Sequence, residues 1–103
     1  MRRTFSRATL STLREMSSED ALALLAIHYK ADPTYLPVKD SRSRRWYVHS
    51  ERGDFEILTT GPKWYDGRAR TGGGGAIDLA IHLLQISFVD AVRLLIERGR
   101  PRG

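Results

Sequence analysis

A chain of 103 residues has room for one small domain with a modest core. It has no cysteine, which excludes disulfides and cysteine-held zinc, and no apolar run long enough to span a bilayer, so no membrane partner is expected. The net charge of +5, carried mainly by arginine, suits a nucleic-acid or phosphate partner; a basic domain with no polyanion partner is the plainer alternative.

That charge is uneven: the excess sits in 1–16 and 41–75, while 17–40 is net acidic. Residues 1–16 are rich in Arg, Ser and Thr, with Glu15 as the one acid. They read as a basic N-terminal arm or a short helix, with a mitochondrial transit peptide as the minor alternative. Ser17 and Asp20 are spaced as a capping box, and Ala21, Leu22, Leu24, Leu25, Ile27 and His28 continue a helix that Tyr29 closes. Asp32-Pro33 stops it. Tyr35 to Arg45 is irregular, with two prolines nearby and the basic run Arg42-Ser43-Arg44-Arg45.

Three strand signals follow. They are Trp46–His49, then Phe55–Thr59 after a turn at 51–54, then Lys63–Tyr65 after Thr60-Gly61-Pro62. Short turns between them predict an antiparallel meander. Gly72, Gly73, Gly74 and Gly75 suit neither a helix nor a good strand, so they are expected to form a sharp turn or a close backbone approach. Ala76 to Leu84 is apolar almost all round, as in a buried helix. Ser87-Phe88-Val89-Asp90 caps a second, amphipathic helix that runs to about Arg98 and is closed by Gly99 and Pro101. The expected fold class is α+β: a small three-stranded antiparallel sheet packed with about three helices. The domain is expected over 17–98, with a basic tail at 99–103.

The segment Gly73-Gly74-Gly75-Ala76-Ile77-Asp78-Leu79, followed by Ile86-Ser87-Phe88-Val89-Asp90-Ala91, resembles the end of the zinc-ribbon domain of bacterial and phage DNA primases. That family runs from its last Cys-x-x-Cys into a Gly-Gly turn, an aliphatic helix and a Ser-Phe-x-Glu-Ala helix start. Asp90 stands where the family usually has Glu. The resemblance covers roughly residues 20 to 98 and is strongest after Trp64. It implies the template-recognition part of a priming system without the polymerase.

The same resemblance implies a metal site whose ligands are missing. Leu36 and Lys39 stand in the places of the Cys-Pro-x-His pair, and Gly67 and Arg70 in those of the later Cys-x-x-Cys pair. None of these side chains makes a tetrahedral zinc site. The expectation is a zinc-free form of the ribbon with no metal and no cofactor. Asp78 and His82 lie four apart on one helix face, where Asp78 favours the helix N-terminus and His82 is a neighbour able to bond it. The glycine run leading into a helix has the outline of an anion loop, but no Lys-Ser/Thr follows as in a P-loop.

Two stretches interleave cations with aromatic rings: Arg42, Arg44, Arg45, Tyr47 and His49, and Lys63, Trp64, Arg68 and Arg70. On a strand, alternate residues share a face. Arg45, Tyr47 and His49 therefore share one face and Trp46 with Val48 the other, which is the better core face. The first face offers cations for phosphates and a ring for base stacking; a solvated sheet face is the alternative. No nucleophile motif is present, so no enzyme activity is expected.

The functional expectation is a non-catalytic DNA-binding domain, single-stranded by preference, of a replication or priming system, with a mobile element as one setting. A primase, helicase or polymerase chain is the expected protein partner, and the cytoplasm of a bacterium the expected location, with the mitochondrial matrix as the minor alternative. Two other readings stand beside it: an adaptor docking on a protein through its apolar helices, and a nucleotide- or anion-binding module.

Overall fold

The computed structural model describes residues 5–99. Its elements are α1 (Arg7–Glu15), α2 (Ser18–Leu25), β1 (His28–Ala31), β2 (Arg44–Ser50), β3 (Gly53–Thr60), β4 (Lys63–Asp66), β5 (Thr71–Gly73), α3 (Ala76–Leu84) and α4 (Phe88–Arg98). The five strands form one antiparallel sheet in chain order. The class is α+β, but the sheet has five strands rather than three, and four helices rather than about three.

Each departure has a local cause. The helix expected to reach Tyr29 ends at Leu25, where Ala26 turns extended. The Ile27 amide then donates to the His49 carbonyl, and β1 pairs along β2 from His28↔His49 to Ala31↔Trp46. Tyr29 packs its ring 5.5 Å from that of Trp46. An unpaired strand edge and a buried indole thus outweigh a weak helical pattern. At the N-terminus the helical alternative holds: the Ser6 hydroxyl accepts from the Thr9 amide, and Leu13 is buried in the core. Residues 1–4 and 100–103, the outer parts of the expected arm and tail, lie outside the described residues.

The glycine run makes the expected close backbone approach rather than a sharp turn, and its first part, Thr71–Gly73, is itself a strand. Gly73 pairs with Trp64, and a Cβ on Gly73 would sit 2.8 Å from the Trp64 indole. The missing side chain lets the edge strand lie against the ring. None of Gly72 to Gly75 has a positive φ; among the described residues the glycines that do are Gly53, the first residue of β3, and Gly61, in the β3–β4 turn. Gly75 is an extended N-cap whose Cβ would lie 3.4 Å from the Arg14 backbone of α1. Gly74 has open space around it.

The core lies between the helices and one sheet face. Trp46 and Val48 of β2, Ile57 of β3 and Trp64 of β4 meet Leu22 and Leu25 of α2, the buried side of α3, and Val92 and Leu95 of α4. Polar ties close the layer. The Trp46 indole donates to Thr59 Oγ1 at 2.9 Å. Ser18, at the start of α2, donates from its hydroxyl to the Pro62 carbonyl and from its amide to the Gly61 carbonyl, both at 2.8 Å. Ser87 is the N-cap of α4, its hydroxyl accepting from the Asp90 amide as the spacing predicts. No single helix among the described residues is long and apolar enough to cross a membrane.

Candidate nucleic-acid interface

Among the described residues the other sheet face carries no helix. Strand alternation with the antiparallel register sets its occupants. β1 contributes His28 and Lys30, β2 contributes Arg45, Tyr47 and His49, β3 contributes Asp54, Glu56 and Leu58, and β4 contributes Lys63 and Tyr65. The division of β2 into Trp46 and Val48 inward, Tyr47 and His49 outward, is the one the alternation predicts. Tyr47 and Tyr65 are 44% and 45% exposed, enough to present a ring face to a ligand.

Glu56 is the centre of this face. Arg45 Nη2 donates to its Oε2 at 2.5 Å, and Arg68 Nη2, from the turn after β4, donates to its Oε1 at 2.7 Å. The Arg45 hydrogen bond holds the Glu56 carboxyl below its usual range, against some burial, and Arg68 adds to that effect. Arg45 also lies 4.0 Å from Asp32, a residue of the loop between β1 and β2. Asp32 accepts from the Thr34 hydroxyl and amide, which chiefly lower its pKa, and from the Tyr47 hydroxyl at 3.3 Å. The negative charge of Asp32 in turn raises the Tyr47 hydroxyl. His49 Nδ1 lies 2.6 Å from Asp54. Tyr35 reaches from the loop to the same surface, where a cleft of about 410 Å³ is lined by Tyr35, Arg45, Glu56, Leu58, Tyr65 and Arg68. A second cleft beside it includes Lys63, and a third includes His28, Lys30, Tyr47 and His49.

Several expected site residues lie elsewhere. Trp64 has the parity of the core: it is 5% exposed, and its ring is 4.9 Å from that of His82. Trp64 and Tyr65 are adjacent on one strand, so only one can face outward, and it is Tyr65. Arg44 shares the parity of Trp46, and together with Arg42 it borders Ser17 and Glu19 on the helix side. Arg42 forms a two-point contact with Asp40, which holds that carboxyl at about 2. Arg70 is exposed in the turn before β5, with a left-handed φ of 54°. Of the expected site residues, Arg45, His49, Lys63 and Arg68 share the open face with Tyr47, His49 and Lys63 at its opposite ends. Among the described residues neither Lys30 nor Lys63 has an ion-pair partner.

Sequence reasoning missed Lys30 and His28 because β1 carried no strand pattern of its own. It passed over Glu56 because an acid does not suggest a polyanion site, although its parity with Leu58 and Asp54 put it on the open face.

A buried pair supports the rim. Asp66 ends β4 at 2% exposure and accepts from the Arg68 and Ala69 amides with one oxygen. Its other oxygen lies 2.7 Å from His82 Nε2 on α3, so His82 bonds Asp66 rather than Asp78. Burial pushes the Asp66 pKa up, but the bonds from His82, Ala69 and Arg68 outweigh it and the net shift is downward. This carboxylate thereby shapes the turn that carries Arg68.

The four positions that resemble zinc-ligand places offer no thiolate or imidazole, and Leu36 is 80% exposed in the β1–β2 loop. Among the described residues no group of three or more His, Asp or Glu is placed to hold a metal ion. His49 and His82 each face an aspartate, yet no hydroxyl is hydrogen-bonded to either imidazole among the described residues. Comparison with protein-family models, with characterised proteins and with solved structures gives no match to this chain.

Proposed function

We propose that this chain is a non-catalytic binding module for single-stranded DNA, using the helix-free face of its sheet. The observation that carries the reading is the juxtaposition, on that one face, of two half-exposed tyrosines with Lys30, Arg45, Lys63 and Arg68. Sheet faces that bind single strands combine exposed rings, on which bases stack, with cations that track the backbone. The acids on the face offset part of its charge but also order it: Glu56 holds Arg45 and Arg68, Asp32 accepts from Tyr47, and Asp54 faces His49, while Lys30 and Lys63 have no acid partner among the described residues. The resemblance to primase ribbons adds a context, a zinc-free relative serving a replication or priming system beside a primase, helicase or polymerase chain. The adaptor reading draws less support, since the apolar residues of α3 are buried within the chain.

The test is a fluorescence titration of labelled oligonucleotides at several salt concentrations. Parent protein should bind, with affinity falling steeply as salt rises. Changing Lys30, Lys63 and Arg68 together to Gln should flatten the salt slope by about 0.7 for each phosphate that is no longer neutralised. Tyr47→Ala should weaken binding about tenfold. Changing Arg42 and Arg44 to Gln, on the helix side, should leave the slope as it was. No binding by the parent at low salt sinks the proposal, as does an equal slope for parent and triple variant.

A further inference from the structure

The trio at the centre of the open face has a hydrogen-bonding order of its own. Arg45 and Arg68 flank Glu56, one on each carboxylate oxygen. A guanidinium only donates and an ionised carboxylate only accepts. Along the cleft the protein therefore presents donor, acceptor, donor. The two bonds within the trio do not exhaust it. A carboxylate has about four lone-pair sites and each guanidinium five N–H groups. The Arg45 and Arg68 side chains are 41% and 63% exposed and that of Glu56 22% exposed, so all three reach the cleft. Tyr65 and Leu58 line the same cleft and supply the flat and apolar surfaces that a base ring needs.

In a single strand the Watson–Crick edges are free to be read. The complement of donor–acceptor–donor is acceptor–donor–acceptor. Thymine and uracil have that edge: O4 accepts, N3–H donates and O2 accepts. Cytosine offers donor, acceptor, acceptor, which sets its amino group against a guanidinium. Guanine offers acceptor, donor, donor, which sets its amino group against the second guanidinium. Adenine has no donor at its central position.

We infer that Arg45, Glu56 and Arg68 form a base-reading pocket selective for a thymine or uracil base, with Glu56 accepting from N3–H and the two guanidiniums donating to O4 and O2. This rests on the single-strand reading of the same face and adds base preference to it. Glu56 then has two roles. It anchors the two arginines, one on each carboxylate oxygen, and it rejects bases whose central atom is an acceptor, because two lone pairs would then face each other with no proton between them.

The experiment measures affinities for four 12-mers, dT12, dC12, dA12 and rU12, and for dT12 carrying 3-methylthymine throughout. The decisive comparison is dT12 with dC12, since both are flexible pyrimidine strands with similar stacking. The expected result is about tenfold tighter binding of dT12 than of dC12. Methylation at N3, which removes the central donor, should bring dT12 down to the dC12 level, with the protein itself unchanged. The rU12 arm separates a DNA source of the edge from an RNA one; binding of either above dC12 supports the pocket. In Glu56→Ala the ratio of dT12 to dC12 should fall to about one. Equal binding of dT12, rU12 and dC12 by the parent, or 3-methylthymine bound as tightly as thymine, overturns the pocket and leaves single-strand binding standing. Failure of every oligonucleotide to bind overturns both.

Discussion

The two faces of this sheet are built from the same strands and differ in almost every other respect. On the helix side Trp46, Val48, Ile57 and Trp64 are buried; the Trp46 indole is tied to Thr59 and the Ser50 hydroxyl to the Leu83 carbonyl, while the Trp64 indole nitrogen has no hydrogen-bond partner among the described residues. On the open side Tyr47, Glu56, Leu58 and Tyr65 sit one residue away from those core positions and remain in reach of solvent. A strand reverses its side chain at every step, so a single chain segment places a core side chain and a solvent-facing one at successive positions. Substitutions at neighbouring positions should therefore have opposite consequences, and that expectation can be broken.

The largest effect should come from the pair Ile57 and Leu58. Ile57 is fully buried, and Ile57→Ala removes packed methylenes and leaves a cavity, at about 2–5 kcal/mol. Leu58→Ala, on the open face, should cost about 1 kcal/mol or less. Urea unfolding of the two variants measures both. Similar losses would mean that the open face is covered in solution.

Asp66 sharpens the comparison, because it stands on the core side yet shapes the rim of the open side. Asp66→Ala leaves two turn amides and His82 without their acceptor and should cost about 2–3 kcal/mol. The pH dependence follows from the direction of its shift. The folded pKa lies below the ordinary carboxylate value, so the unfolded chain binds the proton more tightly. The stabilisation is fully present above the unfolded pKa, about 3.9, and is lost as pH falls through the lower folded value. The stability difference between parent and Asp66→Ala should therefore shrink as pH falls below about 4. A difference that grows below that pH would contradict this.

The smallest effect distinguishes neighbours within the glycine run. Gly73→Ala drives a methyl into the buried Trp64 ring, an overpacking worth about 1–3 kcal/mol. Gly74→Ala meets open space at an unstrained φ and should be neutral or stabilising by a few tenths of a kcal/mol, through reduced freedom of the unfolded chain. Thermal melts of both variants would show it. Equal destabilisation would mean that the whole run, rather than its packing against Trp64, is what the fold requires.

Features governed by neighbours in sequence were legible without coordinates. Ser17 and Ser87 cap their helices as spaced, the apolar block after Gly75 is the buried helix α3, and the alternation in β2 assigns Trp46 and Val48 inward with Tyr47 and His49 outward. Each is decided within one turn of helix or one strand, where periodicity carries the information. Features governed by partners distant in the chain were not legible. β1 and β5 are three or four residues long, with no alternation of their own, and became strands because β2 and β4 offered unpaired backbone beside them. Glu56 meets Arg45 and Arg68 across separations of 11 and 12 residues, and Asp66 meets His82 across 16. Composition alone supplied the basic charge; the antiparallel register decided which cations stand together, which are held by a carboxylate, and which face away on the helix side.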